Sequence, residues 1–315
     1  MRGFLTGLVI VLVLLAGAFW YFSDPDIPRA TLEAKYATPP SEFIMLPDGA
    51  RAHVRDQGNK SGPVLVLIHG SNSSLFTWEP WVTRLFQNYR IVTMDLQGHG
   101  LTGAVPNGDY SQEGMVTFVD EVVTKLGISK FALGGNSMGG GVVARYAEEH
   151  PDKVSALILV DAGGEPVGQG DHVPLVFKIA RMPVLNKILL YITPRSLVKE
   201  GLNDAIVHKQ IITDKMIDQY WEFARMEGSR AANGERFQLP WTNDVKEHIG
   251  DIKAPTLILW GENDHLIPVA AAYTFHKDIP GSKLIVYPAT GHIPMEEVPD
   301  QSAADVRAFL SGLQK

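Results

Sequence analysis

The sequence predicts an α/β fold: a doubly wound, mostly parallel central sheet flanked by helices, with an inserted helical cap and an apolar helix ahead of it. Three observations carry this reading. From about residue 42 onward, short continuous apolar runs of strand length alternate with amphipathic segments of helix length, as in a parallel sheet covered on both faces. Between about Gly163 and His248 the strand signal disappears and helical candidates follow one another. At the start, the run from Phe4 to Phe22 has Thr6 as its only plainly polar residue.

That first run, at helical rise, reaches roughly 28 Å, about the hydrocarbon thickness of a bilayer. Phe19-Trp20-Tyr21-Phe22 closes it as an interfacial aromatic anchor does, so residues 1–23 read as a single-pass membrane anchor. The alternative is a cleaved signal peptide, with Arg2 as n-region, Leu8 to Leu15 as h-region and Ala16-Gly17-Ala18 as cleavage site, giving a secreted protein. Arg2 before the run and Asp24 and Asp26 after it place the N-terminus in the cytoplasm and the large domain outside it, in the periplasm if the source is bacterial. Pro25, Pro28, Pro39 and Pro40 punctuate residues 24–41, which show no apolar period and read as a linker.

The folded domain is expected from Glu42, with Phe43 to Leu46 and Ala52 to Asp56 forming a hairpin around Pro47-Asp48-Gly49. Pro63 to Ile68, Arg90 to Met94, Lys130 to Leu133, Val154 to Val160, Pro255 to Trp260 and Leu284 to Tyr287 read as core strands. Gln112 to Leu126, Met138 to Glu149, Pro268 to Lys277 and Ser302 to Leu313 read as helices of the core, which spans residues 42–162 and 249–315. Residues 163–248 form the cap, with helices at Pro174 to Ile192, Ser196 to Val207 and Thr213 to Met226. An insertion after a core strand covers the carboxyl ends of the strands, where α/β ligands bind.

The chain has 315 residues, a globular 45% hydrophobic content, and a net charge of −7 without any basic stripe, which argues against nucleic acid. It contains no cysteine, which excludes disulfides, thiolate metal sites and a cysteine nucleophile. None of the 10 histidines has metal-ligand spacing, so neither a metal nor another cofactor is expected.

Gly135-Asn136-Ser137-Met138-Gly139 follows a strand and opens a helix, the setting of a nucleophile elbow. Ser137 needs a base to take its proton, and His292 follows a core strand in Ala289-Thr290-Gly291-His292. Asp264, in Gly261-Glu262-Asn263-Asp264, is the acid to orient it, with Asp161 as the rival acid. His265 lies on the acid's own loop, and His69 and His99 read as structural hydrogen-bonders or turn residues. The oxyanion would be held by the backbone N–H of Met138 and of Ser71, with Asn72 second for that role and a candidate substrate contact. Asn136 is either a polar wall of the pocket or a turn residue.

With these motifs in place, the chain resembles the serine α/β-hydrolase family from Glu42 to Leu313, through His69-Gly70-Ser71, Asp95-x-x-Gly98-His99-Gly100, the elbow, Trp260-Gly261-x-x-Asp264 and Gly291-His292. The elbow and cap look like those of meta-cleavage product hydrolases, which cleave C–C bonds. Haloalkane dehalogenases and epoxide hydrolases share the cap layout, but use an Asp nucleophile where this chain has Ser137. Meta-cleavage enzymes usually carry Trp after the catalytic His, whereas Ile293 and Pro294 follow His292 here. They are also typically soluble.

The expected function is therefore hydrolysis of carboxylic esters of apolar, small-to-medium substrates. The alternative is C–C hydrolysis of a dienone acid, whose carboxylate would need a cap arginine such as Arg181, Arg195, Arg225 or Arg230. A non-catalytic hydrolase-fold binding protein is the third reading. The cap's apolar residues Leu175, Phe177, Ile179, Leu189, Ile192, Trp221 and Phe223 suit an apolar substrate or pack the cap onto the core. Oligomeric state is not legible.

Overall fold

The computed structural model describes residues 2–164, 182, 187, 190–239 and 249–313. Its centre is an eight-stranded mixed sheet: β1 (Ser41–Met45), β2 (Arg51–Gly58), β3 (Val64–Ile68), β4 (Arg90–Met94), β5 (Phe131–Asn136), β6 (Val154–Val160), β7 (Thr256–Gly261) and β8 (Lys283–Tyr287). The spatial order is β1-β2-β4-β3-β5-β6-β7-β8. The leading hairpin and the β2/β4 pair are antiparallel, and every other pair is parallel. The order reverses direction at β3/β5, which opens a crevice beyond the carboxyl ends of those two strands.

The helices are α1 (Arg2–Phe22), α2 (Arg29–Tyr36), α3 (Glu79–Leu85), α4 (Gln112–Lys125), α5 (Met138–Glu149), α6 (Arg195–Ala205), α7 (Asp214–Ala224), α8 (Ser229–Gln238), α9 (Ala270–Asp278), α10 (Pro294–Glu297) and α11 (Pro299–Gly312). The two faces of the sheet bury separate clusters. Val119, Val142 and Trp260 lie in one, and Leu67, Trp81, Ile158 and Leu259 lie in the other. Strand β5 is buried along its whole length, as its apolar run requires. Helices α6, α7 and α8 occupy the segment read as a cap. Of the helix expected at Pro174 to Ile192, and of Leu175, Phe177, Ile179, Leu189 and Arg181, all or nearly all lies outside the described residues.

One expectation fails. Residues 24–41 are not a bare tether, because α2 forms there and its Leu32 is buried in a small cluster with Leu101, Phe223 and Met226. The missing apolar period has a simple cause: a two-turn helix needs only one core residue to dock. Hydrogen bonds complete the attachment. The Ile27 N–H donates to Arg225 O (2.7 Å), the Glu227 N–H to Ile27 O (3.0 Å), and Arg29 Nη1 to Leu101 O and Thr102 O (2.7 and 3.0 Å). Asp26 pairs with Arg230, and Lys35 with Glu222. The end of α1 thus runs into a neck fastened to the cap. Phe19 meets Tyr191 edge-on at 5.7 Å, while the large apolar side chains of α1 are exposed. This helix is long and apolar enough to cross a membrane.

Candidate active site

Ser137 sits between β5 and α5 with φ 54° and ψ −122°, a backbone conformation that is strained for any residue with a Cβ. Several contacts enforce it. The Ser137 N–H donates to Val160 O (3.1 Å), and its carbonyl accepts from Gly163 (2.7 Å) and Gly141 (3.3 Å). Gly139 is required because a Cβ there would strike the Ile68 and His69 carbonyls, so only glycine lets the helix pass so close to β3. The side chain of Ser137 remains partly exposed at the crevice.

His292 and Asp264 come together on the loops after β8 and β7. Nδ1 of the imidazole lies 2.7 Å from Asp264 Oδ2, and both residues are buried. Asp264 Oδ1 accepts the N–H groups of Leu266 (2.7 Å) and Ile267 (3.0 Å), which locks the carboxylate rotamer. The Asn263 N–H donates to Thr290 O (2.9 Å), joining the acid's loop to the loop of the base.

Asn136 links the elbow to the His292 loop. Its side-chain amide donates to Val160 O (3.1 Å) and His292 O (3.0 Å), and the residue is buried. Both N–H groups are therefore committed to backbone carbonyls. The amide thus braces the elbow against the His292 loop.

On the other side of the crevice, Gly70 packs against the elbow so closely that a Cβ on it would lie 3.0 Å from Ser137 Cβ and from Asn136 Oδ1. That brings Gly70 of the His69-Gly70-Ser71 loop beside Ser137; the next residue on the loop, Asn72, has φ 56°. Met138, at the start of α5, is buried with its N–H at the helix end. His69 is fully buried, donating from Nδ1 to Gly70 O (2.7 Å) and accepting the Leu96 N–H at Nε2 (3.0 Å). Burial pulls its pKa down. His99 is likewise held neutral by burial and donates to Gln97 O (2.8 Å). His265 is exposed.

Of the arginines expected to serve a substrate carboxylate, Arg195 pairs with Asp214 and Asp218 on the cap. Arg225 stacks on Trp221 and donates to Pro25 O, and Arg230 holds Asp24 O and Asp26. The sequence reading passed over Arg236. From α8 it reaches the loop after β3, where Nη2 donates to Ser71 Oγ at 2.5 Å. Also missed were Glu297 and Ala205. Glu297 accepts the N–H groups of Gly291, Val207 and His208, and Ala205 O accepts the His292 N–H (2.7 Å), so the end of α6 is tied to the His292 loop. No motif marks such contacts, since their partners are backbone atoms distant in sequence.

A strained serine between β5 and α5, with an Asp–His pair on the loops after β7 and β8, defines a hydrolase-type α/β site. Residues 63–299 match the model of the alpha/beta hydrolase fold, and the chain belongs to that family. Lipases and meta-cleavage hydrolases both occur among the proteins it is similar to. It is 28% identical over 277 residues to Lipase 1 of Psychrobacter immobilis, spanning 86% of this chain and 84% of that one. It is 27% identical over 258 residues to 2-hydroxy-6-oxo-6-phenylhexa-2,4-dienoate hydrolase of Burkholderia cepacia, spanning 77% and 85%. Among solved structures, a membrane phospholipase A superposes over 100% of both chains with a TM-score of 0.75 at 24% identity.

Proposed function

We propose that this chain is a serine hydrolase that transfers an acyl group to water. Ser137 attacks the carbonyl while His292 takes its proton and delivers it to the leaving group. Asp264 fixes the imidazole, and the N–H groups of Ser71 and Met138 hold the oxyanion. The observation that carries this reading is the 2.7 Å contact of His292 with Asp264, on a loop that Asn136 braces directly against the elbow.

The substrate we propose is a carboxylic ester with an apolar acyl or alcohol group. Two features support it: Ile293 and Pro294 stand where C–C hydrolases usually have Trp, and the lipase relative is of the same overall extent. We also read α1 as a retained anchor. The Phe19–Tyr191 contact and the neck would then hold the cap beside the bilayer, within reach of apolar esters.

C–C hydrolysis of a dienone acid is the second reading, and the comparisons lean toward it, since meta-cleavage hydrolases recur among both the relatives and the solved structures. Arg236 at the oxyanion loop is the side chain it would require. In full-length protein, Ser137→Ala abolishes fluorophosphonate labelling and p-nitrophenyl ester hydrolysis; full labelling of that variant would refute the assignment. Turnover of a dienone acid faster than any ester decides for the second reading.

A further inference from the structure

Asp161 follows β6 directly, with φ 43°, and is fully buried. Its Oδ1 accepts the Gly261 N–H at 2.9 Å, but its Oδ2 is enclosed and meets no donor among the described residues. The side chain lies against the acid and base of the proposed site: one oxygen each of Asp161 and Asp264 and a ring nitrogen of His292 lie within 4.8 Å of one another. The groups facing Asp161 are Asp264 from the loop after β7, Glu297 on α10, the Tyr287 phenol at the end of β8, and His292. Of these only His292 can be positive. Two bare carboxylates in such a place repel each other, and a shared proton relieves both the repulsion and the orphaned oxygen.

We propose that Asp161 is a proton-carrying positioning residue: its carboxyl stays protonated through the working range and donates from Oδ2 to Asp264, holding that carboxylate on His292. This rests on the Ser137–Asp264–His292 reading. Burial first, and the charge of Asp264 second, push the Asp161 carboxyl well above the usual carboxylate range. The pair then carries one negative charge. A doubly charged pair would strengthen the imidazolium so far that His292 would give up its proton to the leaving group reluctantly.

The experiment uses the full chain in detergent and follows p-nitrophenyl butyrate hydrolysis against pH. Asp161→Asn, which keeps a neutral donor, should hold kcat within about threefold of wild type with the acid limb of the profile unmoved. Asp161→Ala should lower kcat by at least about tenfold and move the acid limb upward, because Asp264 without its donor binds the imidazolium more strongly. A downward move of about half a pH unit or more in Asp161→Asn, the signature of removing a real negative charge, overturns the proposal. So does wild-type behaviour of Asp161→Ala. If the Asn variant does not fold, Asp161→Ser, with a shorter neutral side chain, serves for the infrared comparison below. A readout independent of activity separates this proposal from the hydrolase reading. At pH 8, above the range where Glu148 and Glu296 ionise, wild-type protein should retain the infrared carbonyl band of a protonated carboxyl, lost in Asp161→Asn or Asp161→Ser; absence of the band in wild type refutes the proposal even if no substrate is turned over.

Discussion

Asn136→Ala separates the two roles that a polar residue next to the nucleophile can have. In the structure its amide donates to Val160 O and to His292 O. The losses are unequal. Val160 O keeps the Ser137 N–H as a partner, so that deletion removes one of two bonds. The bond to His292 O is the brace of the base, and losing it strands a buried carbonyl at a cost of about 1–3 kcal/mol. With the shared bond added, the variant should be about 2–4 kcal/mol less stable, which for a domain of this size is a fall in Tm of roughly 5–10 °C.

The kinetic consequence follows from the same geometry. With the brace gone, the His292 loop keeps its ties to Asp264, Ala205, Asn263 and Glu297, none of which bonds to the His292 carbonyl, and the imidazole samples positions away from Ser137. A base displaced by about 1 Å costs on the order of a hundredfold, so kcat for p-nitrophenyl ester hydrolysis should fall about 10- to 100-fold with little change in KM. Asn136→Asp keeps the shape but supplies no N–H, and should be worse than Ala because a carboxylate would face two carbonyls. The assay is a thermal melt beside steady-state kinetics. A variant with wild-type Tm and a raised KM would refute the reasoning and return Asn136 to the pocket wall.

Three further outcomes follow from the same contacts. Arg236→Gln, which loses the charged donor to Ser71 Oγ, should slow fluorophosphonate acylation about tenfold, and an unchanged labelling rate would remove Arg236 from the oxyanion loop's support. Leu32→Ala should cost about 2–4 kcal/mol in denaturant melts, since Leu32 is buried in the neck cluster; a loss below about 1 kcal/mol would mean the neck does not contribute to the fold. The Glu296 carboxyl accepts from Thr77 and Tyr220, and burial pushes its pKa from 4.5 up to about 7. The folded chain therefore holds a proton that the unfolded chain has lost across that window, and the contribution of Glu296 to stability falls as pH rises through it. Glu296→Gln should match wild type near pH 5 and gain on it toward pH 8, by at most about 3 kcal/mol, and a difference independent of pH would contradict the assignment.

The core of the fold was legible because each strand buried on both faces is an unbroken apolar run, as in Val64–Ile68 and Thr256–Gly261. The elbow was legible for a different reason: a strained serine can be held only between small neighbours, and Gly135 and Gly139 are visible as letters. Helix α3 escaped notice because it is short. Helix α2 did so because its docking depends on Leu32 and on backbone carbonyls at Leu101 and Thr102, far away in sequence. The same blindness hid Asn136's role. Its neighbour Ser137 announces chemistry, but nothing local says that its amide reaches the carbonyl of a residue in another loop.

The contacts that sequence could not supply have a common direction, and it bears on how the cap works. Glu297 and Ala205 tie the end of α6 to the His292 loop, Arg236 ties α8 to Ser71 on the loop after β3, and the Tyr220 hydroxyl on α7 lies 3.3 Å from Ser73 Oγ. Each of these three helices thus touches the proposed machinery, α6 through the His292 loop and α7 and α8 through the loop after β3. Helices α6 and α8 cannot move away as one body without breaking the contacts to the His292 and Ser71 loops together. Substrate choice and acylation rate should therefore be coupled in this chain, so that substitutions on the inner ends of α6 and α8 change kcat along with the preferred acyl length.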